Sequence, residues 1–72
     1  MLLRTDDLNP DGVIVRINWE RLCPGNSVFI PCVNTFKAIQ QLKKIALGKN
    51  WQITTKIRLE SGRLGVRVWR TV

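Results

Sequence analysis

The clearest alternation of apolar and polar positions lies in the last third of the chain. From residue 51 to residue 72, two runs rich in β-branched and apolar residues flank Ser61-Gly62, a turn dipeptide whose glycine accepts positive φ at little cost. A two-residue turn at this point sets Glu60 opposite Arg63, Leu59 opposite Leu64, Arg58 opposite Gly65 and Ile57 opposite Val66. It continues with Lys56 opposite Arg67, Thr55 opposite Val68 and Thr54 opposite Trp69. Opposed residues share a face of the sheet. One face therefore collects Ile53, Thr55, Ile57, Leu59, Leu64, Val66 and Val68. The other collects Thr54, Lys56, Arg58, Glu60, Arg63, Arg67 and Trp69. The patterns of two strands agree under one register, which neither strand alone would establish. Arg70 breaks the alternation. It falls on the apolar side, either at the sheet's edge, where a guanidinium can snorkel out, or beyond a one-residue bulge near Trp69.

Upstream, Val13, Val15, Ile17 and Trp19 alternate with Ile14, Arg16 and Asn18, which predicts a strand over 13–19 with the first set inward and Arg16 on the wet face. Pro24-Gly25 marks a loop over 20–26. Residues 27–32 read as a second strand in which Val28, Ile30 and Cys32 form one set and Phe29 and Pro31 the other. Pro31 argues for an edge position or a strand end. A helix is predicted from 35 to about 47, capped by Asn34 or Thr35, with Phe36, Ile39, Leu42, Ile45 and Ala46 as its buried stripe. Gly48 reads as its left-handed stop, with Lys43, Lys44 and Lys49 near the negative end of the helix dipole. The order is ββαββ. The predicted class is α+β: one small domain, an antiparallel sheet with one helix packed on one face and the other face left open.

With 72 residues the core is small, which leaves dimerisation open. No run is long or apolar enough to cross a bilayer, and the start of the chain is too short and acidic for a signal peptide, which points to the cytoplasm. In that setting Cys23 and Cys32 are expected as free thiols. The chain has no His, which removes the commonest general base, and its two cysteines cannot build a structural zinc site alone. Ser27, Ser61 and the cysteines lack a His partner, the carboxylates fall in the leader or in turns, and no phosphate-cradling glycine loop occurs. The expectation is a protein that is not an enzyme and takes no cofactor or metal.

Charge sharpens the picture. Residues 1–11 set Arg4 against Asp6, Asp7 and Asp11 and read as a flexible acidic arm, frayed or folded over the basic face. Residues 12–72, the domain proper, hold the other eleven Lys/Arg against Glu20 and Glu60. A basic body suggests a polyanionic partner. The candidate nucleic-acid-binding set is Arg16, Lys56, Arg58, Arg63, Arg67, Trp69 and Arg70, with Lys43, Lys44 and Lys49 as a secondary basic patch. Cations neutralise phosphates, and an exposed indole gives bases a stacking surface. Lys56 opposite Arg67 is a like-charge pair, which costs stability unless an anion bridges it. The pattern leaves DNA or RNA, single strand or duplex, open. The rival is a protein-binding inhibitor or modulator, because exposed Trp and Arg are also the residues enriched at protein hot spots.

Two blocks carry a resemblance. Trp19-Glu-Arg-Leu-Cys-Pro-Gly-Asn-Ser-Val-Phe-Ile-Pro-Cys32 and Arg58-Leu-Glu-Ser-Gly-Arg-Leu-Gly-Val-Arg-Val-Trp-Arg70 resemble a set of small bacteriophage proteins. These pair an aromatic-x-x-Leu-x-Pro-Gly-x-Ser-x-Phe-hydrophobic-Pro block with a C-terminal Glu-x-Gly-x-x-Gly-hydrophobic-Arg-Val-Trp-Arg block. The likeness covers most of residues 17–70. It implies a phage origin, work inside an infected bacterium and no catalytic residues. It also fits a regulatory role, on nucleic acid or on a host enzyme such as the transcription machinery.

Overall fold

A computed structural model describes residues 6–72. The helix and three of the four expected strands stand where the periodicities put them, in an α+β domain. Strand β1 (Ser27–Pro31) precedes helix α1 (Thr35–Lys49), and strands β2 (Ile53–Glu60) and β3 (Arg63–Arg70) form the closing hairpin. The sheet is antiparallel in the order β1-β3-β2, so β3 is central. Every hairpin pair expected from Ser61-Gly62 is present, from Glu60 opposite Arg63 to Thr54 opposite Trp69, and the ladder goes on to Ile53 opposite Arg70. Ser61 and Gly62 both take positive φ, as a turn matched to the strands' right-handed twist requires. Strand β1 runs along the other side of β3, with Ser27 opposite Trp69, Phe29 opposite Arg67 and Pro31 opposite Gly65. Pro31 ends an edge strand, where its missing donor costs no ladder bond.

Alternation then sorts the faces. Val28, Ile30, Val66 and Val68 point to the side covered by α1, where they meet Ala38, Leu42 and Ile45. Ile30, Leu42, Val66 and Val68 are sealed from solvent. Helix α1 starts at Asn34, whose side chain accepts from the Lys37 amide. It runs through Gly48 and stops at Asn50, which takes the left-handed conformation and donates to the Ala46 and Leu47 carbonyls. The stop is thus two residues later than Gly48 suggested, because asparagine also tolerates that conformation. Phe36, expected in the buried stripe, is 70% exposed. At about 100° per residue it lies some 200° from Ala38, on the far side of a stripe centred on Ala38, Leu42 and Ile45.

Residues 13–19 do not join the sheet. Among the described residues they form one bridge, between Val15 and Leu8, whose backbones exchange two hydrogen bonds of 2.6 and 2.9 Å. A turn at Pro10–Gly12 connects the two, with the Gly12 amide donating to the Asn9 carbonyl. The β-type pattern of 13–19 is therefore used against the acidic segment and the core, and Trp19 enters a short 3-10 turn (Trp19–Arg21) with its ring buried. The described part of the acidic segment is packed into the body. Leu8 is fully buried, Asn9 and Gln41 exchange two hydrogen bonds, and the Asp11 carboxylate accepts from the Val33 and Asn34 amides at the start of α1. Residues 1–5, the rest of the expected arm, lie outside the described residues.

Candidate nucleic-acid interface

The face of the sheet turned away from α1 is built by Ser27, Phe29 and Pro31 from β1, by Arg63, Gly65, Arg67 and Trp69 from β3, and by Thr54, Lys56, Arg58 and Glu60 from β2. No helix or strand among the described residues lies over it. Five of the expected site residues share this face: Lys56, Arg58, Arg63, Arg67 and Trp69.

Their roles divide. Arg67 is held in place. Its Nε and Nη2 donate to the two oxygens of Glu60, both at 2.7 Å, its Nη1 donates to Ser27 Oγ at 2.8 Å, and its guanidinium carbon lies 5.8 Å from the Phe29 ring centre. A bidentate pair of this kind is planar and directional. Glu60 stands opposite Arg63, four residues along β3 from Arg67, so the two long side chains must extend toward each other to meet. Hydrogen bonds from Arg67 hold the Glu60 carboxyl below its usual range, with the charges of Arg67 and Arg58 helping and burial opposing. The same hydrogen bonds push the Arg67 guanidinium up. The anion that relieves the Lys56–Arg67 pair is therefore Glu60, an internal one. Arg58 also approaches Glu60, with its Nε at 3.5 Å and its side chain half exposed. Lys56 and Arg63 are exposed on the same face.

Phe29 is the residue that sequence reasoning left out of the site. It lies on this face beside Arg67, and its ring rests on Gly65, where an added Cβ would stand 2.7 Å from the ring. Its signal was visible as parity: Phe29 and Pro31 alternate against Val28, Ile30 and Cys32. Trp69 sits diagonally from it, opposite Ser27 and Thr54, so two half-buried aromatic residues share the face that carries Arg67.

The remaining expected residues lie elsewhere. Arg70 is on the α1 side, as alternation without a bulge dictates. It donates to the Leu22 and Val72 carbonyls and stacks 3.9 Å from the Trp51 ring centre. Arg16 leaves the sheet with its segment and pairs at 3.3 Å with Asp7, whose side chain is almost wholly buried. It also lines an open cleft with Arg21, Leu22, Ser27 and Val28 at the β1 edge. Lys43 and Lys44 are exposed on α1, behind the sheet, while Lys49 pairs with Asp6 at 3.7 Å and lies over Trp51. The secondary patch is thus separate from the open face.

Cys23 and Cys32 are free. Burial pushes the Cys32 thiol up, and the Asp11 charge adds to this, which suppresses the nucleophilic thiolate. An open concavity combines Asp6 and Glu20 with Arg16 and Lys49, a balanced set with no preference for a polyanion. No family model, characterised protein or solved structure matches the chain, so the likeness to small phage proteins rests on its two sequence blocks.

Proposed function

We propose that the protein binds nucleic acid, without catalysis, through the open face of its sheet, and that single strands are its preferred form. The observation that carries this reading is the side-by-side placement of Phe29 and Trp69 with Lys56, Arg58 and Arg63 on one uncovered face. Splayed bases can stack on the two rings, while the cations at the hairpin end meet the phosphates. Arg67 is the scaffold between them, fixed by Glu60 and Ser27. The face is only three strands wide, which suits one or two bases better than a duplex groove. A place inside the cell, in a phage-infected bacterium if the two sequence blocks mark descent, is consistent with described residues that contain no helix able to cross a membrane.

The test is fluorescence anisotropy with labelled oligothymidine and a duplex of equal length, across a salt series. Three available cations set the expected slope of log K against log salt near −2 for a single strand, at ~0.7 per neutralised phosphate. Absence of binding at low salt refutes the proposal. Capture instead of one stoichiometric protein from nuclease-treated bacterial lysate would favour the inhibitor reading.

A further inference from the structure

The outer edge of β2 has no pairing partner among the described residues, since β2 bonds to β3 alone. Exposed edges recruit other strands unless a proline, a bulge, an inward-pointing charge or a row of edge lysines blunts them. Strand β2 has none of these. Its register with β3 is unbroken, it contains no proline, and its α1-side positions are Ile53, Thr55, Ile57 and Leu59. Toward the hairpin tip this side runs out from under the helix, leaving Ile57 57%, Leu59 71% and Leu64 43% exposed. These three are neighbours, because Leu59 faces Leu64 and Ile57 lies one pair away. A single exposed leucine needs no explanation, but a contiguous apolar set along an open edge does.

We infer that a second copy of the chain completes this edge, β2 pairing antiparallel with β2 about a two-fold axis through Arg58. The hairpin fixes what the edge offers. A two-residue turn closes on a hydrogen-bonded pair, Glu60 and Arg63, so even-numbered β2 residues bond inward and Thr55, Ile57 and Leu59 turn their amides and carbonyls outward. A two-fold axis normal to the sheet keeps apolar side with apolar side. Centred on Arg58, it sets Ile57 against Leu59 twice on the helix side and Lys56 against Glu60 twice on the open side. Centred on Ile57, it would oppose Lys56 with Arg58 twice. Centred on Leu59, it would leave only three strand residues paired. The Arg58 register alone combines opposite charges, matched apolar pairs and useful length. Arg58 meets its own copy on the axis, where the guanidiniums can splay into solvent and each keeps its contact with Glu60. A small core gains from the added burial.

The experiment is analytical ultracentrifugation of the full chain without nucleic acid, so its outcome is independent of the binding reading. The expected result is the mass of two chains, with association tightening as salt screens the charge of two basic copies. Leu59→Lys, at an exposed site, is expected to weaken association at least tenfold while leaving the circular dichroism spectrum and thermal midpoint intact. In a Cys23→Ser background, Arg58→Cys is expected to form an intermolecular disulfide, because the axial pair has a Cα separation of about 4.5 Å, within disulfide range. Thr54→Cys, which this register sets against Gly62, is expected not to do so. A monomer at all concentrations, a dimer indifferent to Leu59→Lys, or cross-linking as efficient at Thr54 as at Arg58 would each overturn the inference.

Discussion

Gly65 and Gly48 make a pair of glycine-to-alanine substitutions with opposite expected signs. Gly65 lies in the central strand β3, opposite both Pro31 and Arg58. A Cβ built there would clash with the Ile30 carbonyl oxygen and stand 2.8 Å from Pro31 Cα and 2.7 Å from the Phe29 ring. Two of these three neighbours are backbone, so no rotamer change relieves them, and β1 must shift away from β3. Carbon contacts are optimal near 3.5–4.0 Å, so the carbon contacts are about 1 Å too close. Inserting a methyl group into a packed site costs ~1–3 kcal/mol, and backbone neighbours place this one at the upper end. Relief of glycine's extra unfolded-state entropy returns only ~0.5–1 kcal/mol, so the clash wins by about 2 kcal/mol. For a domain of this size that lowers Tm by about 8–16 °C.

Gly48 lies in the last turn of α1 with no heavy atom within 4 Å of the added Cβ and no positive φ. Gly48→Ala meets no clash and gains helix propensity, so it is expected to stabilise by up to ~1 kcal/mol and raise Tm by a few degrees. Thermal and urea unfolding followed by tryptophan fluorescence read both variants. A neutral Gly65→Ala would mean that β1 does not pack against β3 at this spacing, and with it would go the seat on which Phe29 rests in the proposed site.

Three further outcomes are expected. Trp69→Ala should leave the fold intact and weaken oligonucleotide binding by about 1–3 kcal/mol, the value of one stacked base, as read by anisotropy. Arg67→Ala should lower the urea midpoint through loss of the Glu60 clamp while leaving the salt dependence of binding unchanged, whereas Arg63→Ala should leave stability unchanged and remove about one phosphate's worth of salt slope. Hydrogen bonds from the Asn34 amide first, and then the Val33 amide, hold the Asp11 carboxyl below its ordinary 3.8. A depressed folded-state value contributes stability that is complete above the unfolded value and lost as pH falls through the folded one. Urea midpoints of the wild type and Asp11→Ala should therefore differ at neutral pH and converge in acid, and a gap unchanged down to about pH 2 would remove Asp11 from its capping role.

The hairpin was legible because its register is local: a two-residue turn and two alternating strands leave one solution, and the β2–β3 pairs are that solution. Helix α1 was legible for the same reason, apart from Phe36, whose hydrophobicity outweighed its angle on the helix. Residues 13–19 show where pattern reading stops. Alternation says that a segment is extended with one side buried, but not which partner it pairs with. Here Leu8, hidden in a leader that composition marked as acidic and exposed, takes that place. The Arg67 clamp was equally out of reach, because Glu60 and Arg67 are not opposed in the register and meet only through the length of their two side chains.

The cations divide by the same logic. Net charge counts every guanidinium alike, yet Arg67, Arg70 and Arg16 are engaged with Glu60, with the Leu22 and Val72 carbonyls and with Asp7 respectively. Lys56, Arg63 and the half-exposed Arg58 beside Glu60 remain for a ligand, a site smaller than the sequence's charge suggested. A single sheet face with three cations loses little affinity as salt rises. Two faces made continuous across the β2 edge bring six together, of which the two Lys56 are paired with Glu60 across the seam; the four that remain set an expected salt slope of about −3 on a strand long enough to cross both, against about −2 for one. The slope of the wild type against that of Leu59→Lys, measured on the same oligonucleotide, therefore separates a monomeric from a paired binding face. Equal slopes near −2 would mean that the second copy, if it pairs at all, leaves the ligand to one chain.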